Sequence, residues 1–207
     1  GQIGFKDFIQ HWYESVNDND DPQVINPNGF HFSELDLEVE SIILPMRQRL
    51  AARREKLYVG LCYVNFKPSV FQHKLFPEEY AEFVLAAFFH LRDKYGWVPE
   101  GLEIILEPDT DADWSAVQIG NAIVAAGNRL RANGFNPDIT APSTTSLPNA
   151  IPYFDQMIQI PGVTQFISEL SYHRYAGATD SDLTAVANRA AQYNISAAQL
   201  EYFGATY

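Results

Sequence analysis

A parallel α/β fold, with a barrel of βα units as its leading form, is what this sequence predicts, on three observations. From Leu57 onward, strand-like and helix-like segments alternate. The strand ends fall near Asn65, Glu107, Ser143, His173 and Glu201, at spacings of 42, 36, 30 and 28 residues, the pitch of βα units. The strands also carry polar residues on the face opposite the helix-packing one: Glu103 with Glu107, and Glu169 with Ser171, His173 and Tyr175. Polar side chains pointing inward at strand ends suit a barrel mouth. An open doubly wound sheet shares the pitch, but no glycine-rich phosphate loop follows any of these strands.

The elements read in order as follows. The N-terminal stretch FKDFIQHWYESVNDNDDPQVINPNGFHF has no clean period and is dense in Asn, Asp, Pro and Gly, so it reads as a long loop. Its interleaved aromatics, Phe5, Phe8, Trp12, Tyr13, Phe30 and Phe32, argue against disorder. Residues 33–55 form a helix capped by Ser33, striped by Leu35, Val39, Ile42, Ile43, Met46 and Leu50, and kinked at Pro45. Strands follow at 57–66, 102–107, 137–143, 164–175 and 197–203. Between them lie helices from Pro77 to Gly96, from an Asp113 cap to about Ala132, from Pro148 to about Ile160 and over 181–194.

Composition narrows the function. Of the 207 residues 46% are hydrophobic and 14% aromatic, enough for a sizeable core in one domain spanning 1–207. The formal charge of -12 argues against nucleic acid or an anionic membrane as partner and leaves neutral polymers as easier ligands. No run of about 18 apolar residues exists. No signal peptide is visible either, but the chain begins abruptly at GQIGFKDF, so the compartment stays open. Cys62, inside LYVGLCYVNF, reads as a buried inert thiol. The five histidines lack metal-site spacing, so no metal and no cofactor is expected. Asp18, Asp20 and Asp21 in NDNDDP lack the glycine and terminal glutamate of an EF-hand and read as a solvated turn.

The chemistry gathers at two glutamates. In LEIILEPDT, Glu107 closes a hydrophobic strand just before Pro108; in AAQLEYFGATY, Glu201 does the same beside aromatics. Three strands apart in a closed barrel, they would face each other across the mouth, as retaining glycoside hydrolysis requires. The plainer alternative is that each pairs with an arginine such as Arg174. Trp12, Trp114 and Tyr202 are candidates to stack on sugar rings, and Asn65 joins them as a binding candidate at a strand end.

A strand ending in Glu-Pro, a later one ending in SYHRY, and a Glu followed by aromatics in EYFG together resemble clan A of the glycoside hydrolases, its family-thirty-like members most of all. That resemblance implies a (β/α)8 barrel with Glu107 as acid/base and Glu201 as nucleophile of a retaining mechanism on a β-linked glycan. It places His173 and Tyr175 where the clan contacts the sugar or orients the nucleophile. Two departures stand out. The clan has Asn immediately before the acid/base, bonding the sugar 2-hydroxyl, and here Leu106 occupies that position. The mapping also leaves the first strand and eighth βα unit unaccounted for, which implies either an unseen remainder of the barrel or a complementing chain. A non-catalytic carbohydrate-binding barrel, or an inactive barrel fragment, is the rival expectation.

Overall fold

A computed structural model describes residues 2–4, 17–66, 71–110 and 112–202. Six strands form one parallel sheet in sequential order: β1 (Gln2–Gly4), β2 (Gly60–Cys62), β3 (Gly101–Glu103), β4 (Asp138–Ser146), β5 (Ile167–Ala176) and β6 (Ser196–Glu201). The order never reverses, which separates this sheet from the doubly wound one, whose order turns back at a switch point. Helices α3 (Pro77–Tyr95), α4 (Ala116–Ala132), α5 (Leu147–Met157) and α6 (Asp180–Tyr193) each pack against the next, as helices covering one side of a sheet do. This is the parallel α/β arrangement of successive βα units that the pitch predicts, and the sheet is not closed. Among the described residues, β1 and β6 each pair on one side only.

The N-terminal helix departs from its prediction in an instructive way. It runs as α1 (Ser33–Glu38), a π turn (Val39–Ile43) and α2 (Leu44–Ala51). Pro45 has no N–H to give, and the chain absorbs the lost bond in the wider turn just before it. That turn shifts the helical phase. Leu35, Val39 and Ile43 are buried, whereas Ile42 and Met46, expected on the same stripe, are exposed. Ser33 does not cap the helix; Phe32 holds the cap position, with no side-chain bond. Asp36 instead ties α1 to α3. It accepts from His90 at 2.6 Å, Tyr95 at 2.8 Å and Lys94 at 2.8 Å. Burial acts to raise its carboxyl, but these three donors hold it below the usual range.

Sequence signals fixed the other helices. Pro77, Glu78 and Glu79 open α3, and Gly96 ends it at φ 72°, its N–H bonded to the Arg92 carbonyl at 2.9 Å. For α4 the cap is Ser115, not Asp113. Ser115 and Gln118 form a reciprocal capping box, while Asp113 takes the Lys74 ammonium at 3.1 Å. Thr179 and Asp182 cap α6 in the same way.

Leu61, Leu102, Ile139 and Leu170 of the strands, with Tyr63 and Ile104 one residue past their ends, are buried in the core shared with the helices. Trp114 sits in that core, 1% exposed and edge-on to Tyr63 and Tyr80, with ring centroids 5.9 and 5.7 Å away. Its reading as a sugar platform is therefore corrected: the ring is enclosed in the core. The opposite side of the sheet carries the polar set, and a cavity of about 380 Å³ opens there, lined by Glu103, Thr140, Glu169 and Gln199 among others. No helix among the described residues is long and apolar enough to cross a membrane.

Candidate functional site

The regular β3 ladder stops at Glu103, four residues short of the expected strand end. The chain nevertheless stays clamped between its neighbours. The Ile104 N–H donates to the Thr140 carbonyl at 3.3 Å, Leu106 to Tyr63 at 2.9 Å and Glu107 to Ser143 at 3.1 Å. Glu107 and Ser143, the two ends of that last bond, both lie in the left-handed region, at φ 48° and 54°. Each such residue costs on the order of 1–3 kcal/mol and persists only where its surroundings fix it. Asp109 supplies part of that fixing. Its carboxylate accepts from the Thr145 N–H at 2.8 Å, the Ser146 N–H at 3.4 Å and the Asn149 amide at 2.9 Å. The acidic end of LEIILEPDT thus anchors the Glu107 loop to the start of α5.

From β5, His173 points into the site with no exposed surface, and its Nδ1 lies 2.9 Å from Glu107 Oε1 and 3.9 Å from Glu201 Oε2. With no proton on Oε1, that oxygen can only accept, and Nδ1 is then the donor of this pair. His173 Nε2 has no hydrogen-bond partner. From the same strand, the Tyr175 hydroxyl donates to Glu201 Oε2 at 2.6 Å. Partial burial, this bond and the charges of Glu201 and Glu107 push the Tyr175 hydroxyl up to about 12, so it remains a donor at ordinary pH. The two rings meet edge-on at 5.7 Å.

Donor atoms of Glu107, His173 and Glu201 all lie within 4.8 Å of one another. Strands β3 and β6 have two others between them, so a flat sheet would hold them roughly 14 Å apart. The convergence requires the sheet to curl, making its polar side concave. The expected arginine pairing does not occur: Arg174 lies over the Tyr202 ring at 5.7 Å, and the described partners of the two glutamates are His173 and Tyr175. The histidine-spacing argument against a metal does not reach this cluster, because its three ligand groups come from three separate segments. The set could hold a cation, but the hydrogen bonds above already orient it.

Beneath the pair lies a buried polar layer. The Ser143 and Ser171 hydroxyls are 2.8 Å apart, and Glu103 contacts both Ser143 and Cys62. Burial raises the Glu103 carboxyl, opposed by those two contacts and by the His173 charge. Cys62 is buried, its thiol pushed well up by burial and by Glu103, as an inert thiol should be.

The remaining candidates scatter. Asn65 is 6% exposed, with its Oδ1 lacking a hydrogen-bond partner, two residues beyond the Tyr63 carbonyl that holds Leu106. Tyr202 is exposed at the rim. Trp12 lies outside the described residues. Sequence reasoning missed Asp109 as an anchor and the Ser143–Ser171 pair. The second was signalled by Ser171 lying two residues before His173 on the same face.

No family model and no curated protein matches this chain. Among solved structures, it is similar to the catalytic domain of GH30 xylanase C from Talaromyces cellulolyticus, with a TM-score of 0.53 and 12% identity. The match covers 85% of this chain and 43% of that one, so the chain spans less than half of the domain it resembles. At that identity the likeness is one of fold: this chain shares the α/β, TIM-like arrangement of a glycoside hydrolase catalytic domain.

Proposed function

We propose that this chain carries the active-site face of a retaining glycoside hydrolase acting on a β-linked glycan. The observation that carries the reading is the convergence of Glu107 and Glu201 on His173, with oxygens within 4.8 Å. That proximity accords with the roughly 5–5.5 Å between the carboxyl groups of retaining enzymes. The fold shared with a glycoside hydrolase domain adds independent support.

Roles follow from the hydrogen bonds. Glu201 accepts from Tyr175 at 2.6 Å, a bond that fixes the orientation a nucleophilic carboxylate needs. Glu107 uses Oε1 to accept from His173, leaving Oε2 to carry and deliver a proton. In the first step a Glu201 oxygen attacks the anomeric carbon as the Glu107 proton moves to the glycosidic oxygen, and the alcohol leaves. In the second, Glu107 takes a proton from water, the water oxygen bonds to the anomeric carbon, and Glu201 is released. Tyr202, which is exposed, is the residue we assign to binding at the rim; Asn65, only 6% exposed, is not. Trp114 is excluded by its burial. The open concave side would be covered by further strands, from the rest of a longer chain or from a complementing one.

Leu106, in place of the clan's sugar-binding Asn, favours a second reading: a barrel that binds carbohydrate without cleaving it. Incubation with a panel of activated 2-fluoro-glycosides, followed by peptide mass analysis, separates the two. An adduct on Glu201 supports hydrolysis; carbohydrate binding with no adduct from any sugar supports the non-catalytic reading.

A further inference from the structure

The sharpest electrostatic anomaly lies outside the candidate site, where loop 17–29 meets α3. Glu79 and Glu82 are one helical turn apart and share a face of that helix. Glu82 has no exposed surface and Glu79 is 7% exposed. Asp18 reaches the same spot from the loop. Its Oδ2 is engaged by the Asn19 amide at 3.1 Å and by the Asn26 N–H, while its Oδ1 is buried and turned away from both. The carboxyl groups of Asp18 and Glu79 each contact that of Glu82. Both Glu82 oxygens, Glu79 Oε2 and Asp18 Oδ1 are buried with no hydrogen-bond partner outside the cluster among the described residues. Among the described residues Arg129 is a nearby cation, and its Nη1 donates to the Glu78 carbonyl at 3.5 Å.

Burial and the Asp18 carboxyl beside it push the Glu82 carboxyl up to about 8, because a buried charge without an opposite one is among the largest penalties a fold can carry. The sequence gives the loop side of the cluster as NDNDDP, which reads as a solvated turn; the structure corrects that for Asp18, which faces inward. The loop is shaped around this residue: a Cβ on Gly29 would come within 2.2 Å of the Asp18 Cβ, so only glycine allows the approach. We infer that Asp18, Glu79 and Glu82 form a site for a hard divalent cation of the calcium class. An all-oxygen, all-carboxylate donor set suits such an ion and not a soft metal. Calcium fits better than magnesium, since it accepts irregular geometry and bidentate carboxylates, whereas magnesium demands a small octahedron. The three groups are strung along Glu82 and do not close within 4.8 Å of one another as the Glu107 cluster does. Binding therefore draws loop 17–29 down onto α3.

The test is thermal melting and limited proteolysis of the 207-residue chain, stripped with chelator and titrated with calcium chloride. The expected result is a saturable rise of about 5–10 °C at calcium a hundredfold above its dissociation constant, with slower cleavage inside residues 17–29. Magnesium should give a smaller shift at equal concentration. Glu82→Gln should abolish the calcium response while melting no lower than wild type in chelator, because it removes a buried charge. Asp18→Asn provides the same test from the loop side should the helix variant fail to fold. No calcium-dependent shift in the wild type at millimolar concentration overturns the inference. A stabilising Glu82→Gln in that case would identify the cluster as carboxyls sharing a proton.

Discussion

Tyr175→Phe removes one oxygen and little else. The lost bond runs from a neutral hydroxyl to a carboxylate over 2.6 Å, the short charge-assisted kind. Hydrogen bonds to charged groups are worth about 1.5–3 kcal/mol, which converts to roughly a 10- to 150-fold effect. The lower half of that range is expected here, because the Glu201 side chain is 32% exposed and water can replace part of the bond. His173 Nδ1, 3.9 Å away, is too distant to take over. The ring itself stays edge-on to His173, so the fold should hardly notice. The assay is the rate of covalent labelling of Glu201 by an activated 2-fluoro-glycoside, measured beside the melting temperature. Labelling should slow by roughly 10- to 50-fold, with melting changed by less than about 3 °C. Labelling at the wild-type rate would refute the claim that Tyr175 holds the nucleophile in place.

Two further outcomes follow from burial. Trp114→Ala should cost about 3–5 kcal/mol in urea unfolding by opening a cavity between Tyr63 and Tyr80, and should leave KM unchanged in folded protein; unchanged stability with a raised KM would restore the sugar-platform reading. Glu103 keeps its proton to higher pH in the folded chain than in the unfolded one, so the native state binds more protons between those two values, and stability falls as pH rises through that window. Glu103→Gln should remove that slope, its advantage over wild type growing from about pH 4 upward in urea midpoints; parallel curves would show that Glu103 does not titrate in the fold.

What could be read from the sequence was whatever repeats with the period of the fold. Strand-end residues share one face at a spacing of two, so Glu107, His173, Tyr175 and Glu201 could be placed at one rim, and the structure brings these four together. Asp113 reads as the cap of α4, but Lys74 claims its carboxylate and the Ser115–Gln118 box takes the role. Other features depend on what arrives from far along the chain. Whether Trp114 faces sugar or core is decided by Tyr63 and Tyr80, and nothing in its own neighbourhood says so. Pro45 signalled a kink, but a π turn that leaves Met46 exposed is a geometry the proline alone does not specify. Closure of the barrel is the least local property of all, because it requires the first and last strands to meet.

The central claim is that Glu107 and Glu201 divide acid/base and nucleophilic work, and product stereochemistry with azide tests it most directly. Glu107→Ala and Glu201→Ala are each assayed on an aryl β-glycoside whose leaving group departs without protonation, with azide added and the anomeric configuration of the glycosyl azide read by NMR. In Glu107→Ala the covalent intermediate still forms on Glu201, and azide attacks it from the opposite face, so the product keeps the β configuration. In Glu201→Ala no intermediate forms; azide displaces the leaving group directly from the vacated side, and the α anomer results. The account predicts β-azide from the first variant and α-azide from the second. The same anomer from both, or wild-type turnover by either variant, would contradict it.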